Sequence, residues 1–333
     1  MSAIILKNVT KLYDSRGITG VRDLCAEFHK GKLYSLVGPS GCGKTTSLKL
    51  ILGEIQKDSG YIEKSELNIV KLNQSKELND KQTVFENLKT VGTQSKPEQF
   101  ELQIRYWLEH FEITNEINNP ISTLSEGQKQ RVHLIKSLLF NPDFLLLDEP
   151  FGHLDFKLRK EIMGQLFKQL KEKQIGVIWV THDLKNAMAF SDEILVMNHG
   201  KIEQQATPYE IYFHPKNIVV AQFFGECNII VGKYEMKNNT TQIKTPYINI
   251  SCSKDSPQQT LSPCFLLRAE KIFIDTNSGL KGRVKASLFQ GSHYLNSIEF
   301  ETAPDLWFQT AEKPEEFVAI NFKASDLIKL PAL

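Results

Sequence analysis

Between the apolar run Tyr34-Ser35-Leu36-Val37 and a helical pattern over Thr45–Ile55 lies Gly38-Pro39-Ser40-Gly41-Cys42-Gly43-Lys44-Thr45-Thr46. A strand that runs into a glycine turn and straight out into a helix is compatible with few architectures. Gly38–Thr45 fits G-x-x-x-x-G-K-[ST]. In that pattern the glycines let backbone N–H groups turn inward around phosphate oxygens, Lys44 brings a cation to the β- and γ-phosphates, and the Thr45 hydroxyl can ligate Mg²⁺. The helix that follows presents its N-terminal N–H groups to the same anion. The expected ligand is ATP, held along the whole loop from Gly38 to Thr46. Cys42 lies within that loop, where proximity to Lys44 is expected to lower its thiol pKa.

The apolar residues Leu48, Ile51, Leu52 and Ile55 fall on one helical face. Further strands are expected at residues 3–9, Phe144–Leu147, Val177–Val180 and Ile194–Met197, with helical patterns at 157–173 and 183–190. Strands alternating with helices predict a parallel sheet covered on both faces, an α/β fold. Residues 76–120 are polar, with an amphipathic piece at Phe100–Phe111, and predict a helical insertion. After Gly225 the texture changes to short β-rich pieces between Pro, Gly, Ser and Asn clusters: Ile229–Val231, Thr241–Ile243, Tyr247–Ile250, Phe265–Leu267 and Phe317–Phe322. This predicts a second, all-β domain. The length of 333 residues suits two domains. The net charge of +1 supplies no strong field toward nucleic acid. The cysteines are few, odd in number and widely spaced, which predicts free thiols in a reducing compartment. Neither a signal peptide nor a membrane span is expected.

Two further segments carry chemistry. Leu145-Leu146-Leu147-Asp148-Glu149-Pro150 is an apolar strand that ends in acids, which places carboxylates at the carboxyl edge of the sheet, where ligands bind in such folds. Leu124-Ser125-Glu126-Gly127-Gln128-Lys129-Gln130-Arg131 opens a helix with apolar Val132, Ile135, Leu138 and Leu139. Together the three segments resemble the ATP-binding-cassette (ABC) ATPases, whose signature usually reads LSGGQ. Thr181-His182-Asp183 resembles the family's switch histidine, Gly152-His153-Leu154-Asp155 its D-loop, Gln74 its Q-loop glutamine, and Tyr13 the aromatic residue that stacks on adenine. The resemblance implies that Glu149 polarises the attacking water, that His182 contacts the γ-phosphate and that Gln74 takes part in catalysis and metal binding. Thr45, Gln74 and Asp148 would hold Mg²⁺, and Ser125, Gly127 and Gln128 would bind the γ-phosphate from a second copy.

The resemblance extends along the chain. Ala206–Pro215 and Val220–Asn228 look like the connector of the maltose, polyamine and ferric-iron importer ATPases, in which a β-barrel domain of the transport-associated OB type follows. Arg268-Ala269-Glu270 resembles an Arg-Pro-Glu found in that domain. The implied fold is a P-loop NTPase cassette, a RecA-like core with a helical subdomain at about 76–140, over residues 1–227. A small OB-like barrel over 228–333 follows. The implied function is the ATP-hydrolysing motor of an import complex, peripheral on the cytoplasmic face of the membrane. It would act as a homodimer or paired cassette on separate permease subunits, indirectly served by a solute-binding protein. Polyamine or ferric iron is the implied cargo, with sulfate and sugar open, and no nucleic acid is expected.

This sequence departs from the pattern at Glu126, where the signature has glycine, and at Gly152 and His153, where the D-loop has Ser-Ala. Across about 8 Å at an effective dielectric of about 20, a carboxylate there would cost roughly 2 kcal/mol per unit of phosphate charge, less if it faces solvent. Two other readings stay open: a soluble cassette ATPase of DNA repair or translation, and a non-hydrolysing regulatory cassette. Salt-sensitive binding of DNA by the purified chain would favour the first of these.

Overall fold

The computed structural model describes residues 3–13, 20–64, 66–72, 78–92, 97–150, 156–237, 240–251 and 262–331. Packing divides the chain into two compact units, Met1–Pro208 and Tyr209–Leu333.

The strands of the first unit are β1 (Ala3–Leu12), β2 (Gly20–His29), β3 (Leu33–Val37), β4 (Ser59–Glu63), β5 (Ile69–Lys71), β6 (Phe144–Asp148), β7 (Gly176–Val180), β8 (Glu193–Asn198) and β9 (Lys201–Ala206). Its helices are α1 (Lys44–Leu52), α2 (Val84–Lys89), α3 (Pro97–His110), α4 (Glu126–Leu138), α5 (Phe156–Glu172) and α6 (Leu184–Phe190). The main sheet has the order β5-β6-β7-β3-β8-β9. β5 to β8 pair in parallel, and β9 returns antiparallel to β8. A parallel strand covered on both faces reads as an unbroken apolar run, which is why β6, β7 and β8 were legible. Every residue of β3 and of β7 is buried.

Side chains alternate between the two faces. Leu145, Leu147, Val177 and Trp179 enter one core with the apolar faces of α2, α3, α4 and α5. Tyr34, Leu36, Phe144, Leu146, Ile178 and Val180 enter the other, which β1, β2 and α1 close. β1 pairs antiparallel with β2 and β4. β2 was not foreseen, for a physical reason. Asn8 and Asp23 hold left-handed φ of 50° and 46°, and the β1–β2 register shifts between Leu6 and Val9 and again between Val9 and Lys11. Within β2 the irregularity at Asp23 breaks the period-two alternation between Val21 and Leu24 by which a half-buried strand is recognised. Helix α1 stops at Leu52 instead of running to Ile55. Gly53 turns left-handed at φ 81°, and its N–H caps the carbonyls of Leu50 and Lys49. In the polar stretch, Thr83 and Glu86 form a capping box that starts α2.

The second unit contains α7 (Pro208–Phe213, from Tyr209 onward), α8 (Ile218–Phe223) and strands β10 (Cys227–Val231), β11 (Lys233–Lys237), β12 (Thr240–Lys244), β13 (Asn249–Ser251), β14 (Cys264–Arg268), β15 (Phe273–Ile274), β16 (Leu280–Phe289), β17 (Tyr294–Glu299), β18 (Leu306–Thr310), β19 (Phe317–Asn321) and β20 (Ile328–Leu330). All its pairings are antiparallel, in sheets ordered β15-β19-β16-β17-β18, β10-β14-β20 and β11-β12-β13. They enclose a core that includes Ile230, Phe265, Leu267, Ile298, Phe308 and Ile320, a nearly closed barrel that fits an OB-like domain. Ala221 of α8 packs with Cys264, Leu266 and Leu330.

Arg268 is 1% exposed and anchors the connector helices to these strands. Its Nη1 donates to the carbonyls of Ala221 (2.8 Å) and Gly225 (3.4 Å), and its Nη2 to that of Tyr212 (3.0 Å). The guanidinium also lies 4.2 Å from the centre of the Tyr212 ring. Burial, and the hydrogen bond that the Tyr212 hydroxyl donates to Glu270, hold that phenol well above its ordinary pKa. Arg268→Met keeps the apolar stem but removes the donors to three carbonyls, and is expected to cost about 3 kcal/mol. The check is the urea midpoint of the second unit's transition, which should fall. An unchanged midpoint would refute the anchoring role.

Candidate functional site

The glycine loop leaves the sheet at Val37, at the carboxyl end of a strand flanked on both sides by parallel neighbours. It passes close beneath other backbone. A Cβ on Gly38, at φ 151°, would lie 2.2 Å from the Met197 carbonyl oxygen. One on Gly43, at φ 105°, would lie 2.6 Å from the Val21 side chain and 2.8 Å from the Gly20 carbonyl oxygen. Both positions therefore require glycine by conformation and by space. The Lys44 ammonium donates to the carbonyls of Gly38 (2.8 Å) and Pro39 (3.0 Å), which holds it over the loop. No acidic residue occupies the first turn of α1, so the positive end of that helix is uncompensated. Pro39, Ser40, Gly41 and Thr45 are exposed and Thr46 is half-buried. Ser47 is buried and donates to the Gly43 carbonyl at 2.9 Å. This cradle of amides with one ammonium fits a polyphosphate.

Cys42 departs from expectation. Its side chain is packed inside the loop, 4% exposed, and burial outweighs the Lys44 charge and pushes the thiol pKa up.

The acids stand at the same edge of the sheet. Asp148 ends β6, and Glu149 follows at φ 48° with its N–H donating to the Val180 carbonyl at 3.0 Å. A left-handed glutamate is strained backbone, of the kind that clusters at functional sites. The turn brings Glu149 Oε2 to 3.4 Å from His182 Nδ1, with both side chains accessible. His182 lies just past the end of β7, between buried Thr181 and Asp183, the N-cap of α6.

Ser125 caps α4. Its hydroxyl accepts from the Gln128 N–H, and Gln128 Oε1 accepts from the Ser125 N–H, a capping box written in the sequence as Ser-x-x-Gln. Gly127 is buried. Gln128 Nε2 also donates to Glu116 at 2.8 Å. The Glu126 side chain is 81% exposed and pairs with Lys129 at 3.4 Å, so solvent and a nearby cation screen it. Gln130 Nε2 donates to the Pro150 carbonyl at 2.9 Å, a tie between α4 and the acid motif that no sequence pattern signalled.

The structure thus brings Glu149 and His182 together and places Lys44 over its own loop. Ser125 and Gln128 bond each other and Glu116 rather than the loop. Tyr13 is 55% exposed just beyond β1. The preceding Leu12 pairs with Gly20, whose carbonyl borders Gly43, and the Lys11 ammonium lies 6.0 Å from the Tyr13 ring. Lys11 pairs with Asp58, which also accepts from the Leu12 N–H; this fixes the strand end in a way the sequence did not signal. Gln74 and Gly152–Asp155 lie outside the described residues.

The ABC transporter family model matches residues 21–152. The spermidine/putrescine import ATP-binding protein PotA of Spiroplasma citri is 34% identical, over 87% of this chain and 86% of its own length. The chain belongs to the ATP-binding proteins of ABC transporters. PotA of Acetivibrio thermocellus is 33% identical over 97% of this chain and 95% of its own, and PotA of Mesoplasma florum is 36% identical over 91% and 89%. Members of this family bind ATP, and proteins of this type are ATP hydrolases. Among solved structures, a nucleotide-free ATP-binding cassette from an ABC transporter superposes with a TM-score of 0.58 at 21% identity, over 68% of this chain and all of that one. The cbiO1 protein of Clostridium perfringens, part of an ABC transporter complex, does so with 0.57 at 24%, over 62% and 89%. These likenesses show the cassette fold.

The buried, raised thiol of Cys42 carries little thiolate at neutral pH, so alkylating reagents are expected to modify exposed Cys25 well before Cys42. Mass spectrometry of partially labelled protein reads the order. Equal rates at pH 7 would contradict the burial argument.

Proposed function

We propose that this ABC ATPase is the motor subunit of an importer for polyamines. The observation that carries the hydrolytic part is the Glu149–His182 pair, 3.4 Å apart at the carboxyl edge of the sheet that also presents the glycine loop. Glu149 accepts a proton from, and orients, the water that attacks the γ-phosphorus, and His182 steadies the γ-phosphate as charge moves onto the leaving oxygen. Lys44 and the loop amides offset phosphate charge. Phosphoryl transfer needs this positioning and neutralisation more than covalent help. Among the described residues no cluster of three or more His, Cys, Asp or Glu is arranged as a metal site. The exposed Thr45 hydroxyl and the Asp148 carboxylate at the end of β6 suit a hard cation, and with Gln74 they would hold a magnesium ion, which would supply charge neutralisation.

Two copies act together in this reading. Ser125, Gly127 and Gln128 of one meet the γ-phosphate held by Lys44 of the other, and Tyr13 stacks on the adenine. ATP favours the closed pair because it touches both copies only there. Closure is passed through the Gln74 region and the helical subdomain at about 76–140 to separate permease subunits. A solute-binding protein delivers cargo from outside. No described helix is long and apolar enough to cross a membrane, and the chain is assigned to the cytoplasmic face, docked on the permease. Functionally, residues 1–227 are the ATPase domain and 228–333 the OB-like domain. The polyamine assignment is supported by the relatives, which are spermidine/putrescine import ATP-binding proteins.

The test is ATP turnover by the chain reconstituted with its permease and binding protein. Spermidine or putrescine should stimulate it and ferric iron should not. Glu149→Gln should lower turnover by about 10²- to 10⁴-fold while ATP binding persists. Full activity in Glu149→Gln would remove Glu149 from the chemistry, and stimulation by iron alone would overturn the cargo.

A further inference from the structure

A second ion pair stands beside the hydrolytic one. Arg159, in the first turn of α5, places Nη1 3.5 Å from Asp183 Oδ2, with the two side chains only 22% and 25% exposed. Asp183 follows His182 in the chain and is already satisfied as the cap of α6. Its Oδ1 accepts from the Asn186 N–H at 3.0 Å, and its Oδ2 accepts from Asn186 Nδ2 at 2.7 Å. On the other side of His182, the buried Thr181 hydroxyl accepts from the Asp183 N–H at 3.0 Å. The cap is therefore complete without Arg159, and the ion pair adds something else: a fixed distance between the starts of two helices.

The start of α6 matters because His182 and its cap Asp183 directly precede it, and Arg159 reaches that cap from α5. The His182 side chain is 69% exposed, so little packing fixes its ring; the backbone on either side sets where it lies. Arg159, Glu149, His182 and Asp183 line one small cleft. We infer that Arg159 is a positioning residue for hydrolysis, which through Asp183 holds the turn carrying His182 at its working distance from Glu149. The pair is partly covered, and its attraction exceeds that of an exposed one. The inference rests on the motor reading above.

ATP turnover by the full chain, measured against ATP concentration, tests it. Arg159→Met and Asp183→Asn, the latter keeping a side chain able to cap α6, should each lower kcat about tenfold or more with KM within about twofold, since a displaced group of about 1 Å has that consequence. Arg159→Lys should recover part of the loss, and the double variant should lose no more than the worse single one, because one interaction is removed twice. A purely structural role would move the unfolding midpoint and leave the kcat-to-KM split and the lysine rescue unaffected. If Arg159→Met does not fold, Asp183→Asn and Arg159→Lys carry the measurement. Wild-type kcat in Asp183→Asn, a rise in KM matching the fall in kcat, or losses that multiply in the double variant would each overturn the positioning role while wild-type turnover kept the motor reading intact. A wild-type chain inert with its permease present would sink both.

Discussion

The full burial of β3 between β7 and β8 is the constraint on which the first unit depends. A strand flanked by parallel neighbours and covered on both faces cannot shift without exposing two cores at once. Its carboxyl end is therefore a fixed point, and Gly38 turns there against the Met197 carbonyl of the adjacent strand. The loop has little freedom to rearrange, and Lys44 is held over it by the carbonyls of Gly38 and Pro39.

The same sheet brings Glu149 and His182 together. β6 and β7 are neighbours in parallel register, so the residues just past their ends emerge side by side. Glu149 meets His182 from a left-handed conformation, held by the hydrogen bond from its N–H to the Val180 carbonyl. Local backbone preference opposes that turn, and the surrounding sheet over-determines it. The packing that stabilises the core thus also sets a geometry no isolated segment would adopt. The buried Arg268 shows a related economy in the second unit, where one side chain answers backbone carbonyls from the connector helices and orders the chain that precedes the barrel.

Much of this was legible in the residues. The parallel strands announced themselves as apolar runs, and the glycine loop precedes α1, the acid pair stands at the end of β6 and the Ser125–Gln128 segment opens α4, as the sequence pattern places them. Other features left no local signal. β2 was hidden because the left-handed Asp23 interrupts its alternation between Val21 and Leu24. Helix α1 overran in expectation because Ile55 continues the helical spacing past Gly53, whose left-handed cap decides the end. The Cys42 thiol was misjudged because neighbours in sequence display the Lys44 charge but not the burial that outweighs it.

The sequence by itself determined the residue types available at short spacing: a glycine loop with Lys44, an acid pair at the end of β6, a histidine after β7 and a helix cap at Ser125. Only the tertiary structure decided which groups meet. Glu149 and His182, Gln130 and Pro150, and Arg159 and Asp183 are each separated by 20 residues or more, and their contacts exist because strands and helices distant in the chain pack side by side. Long-range proximity depends on the summed burial of two cores rather than on any motif, and for that reason no local pattern could have disclosed it.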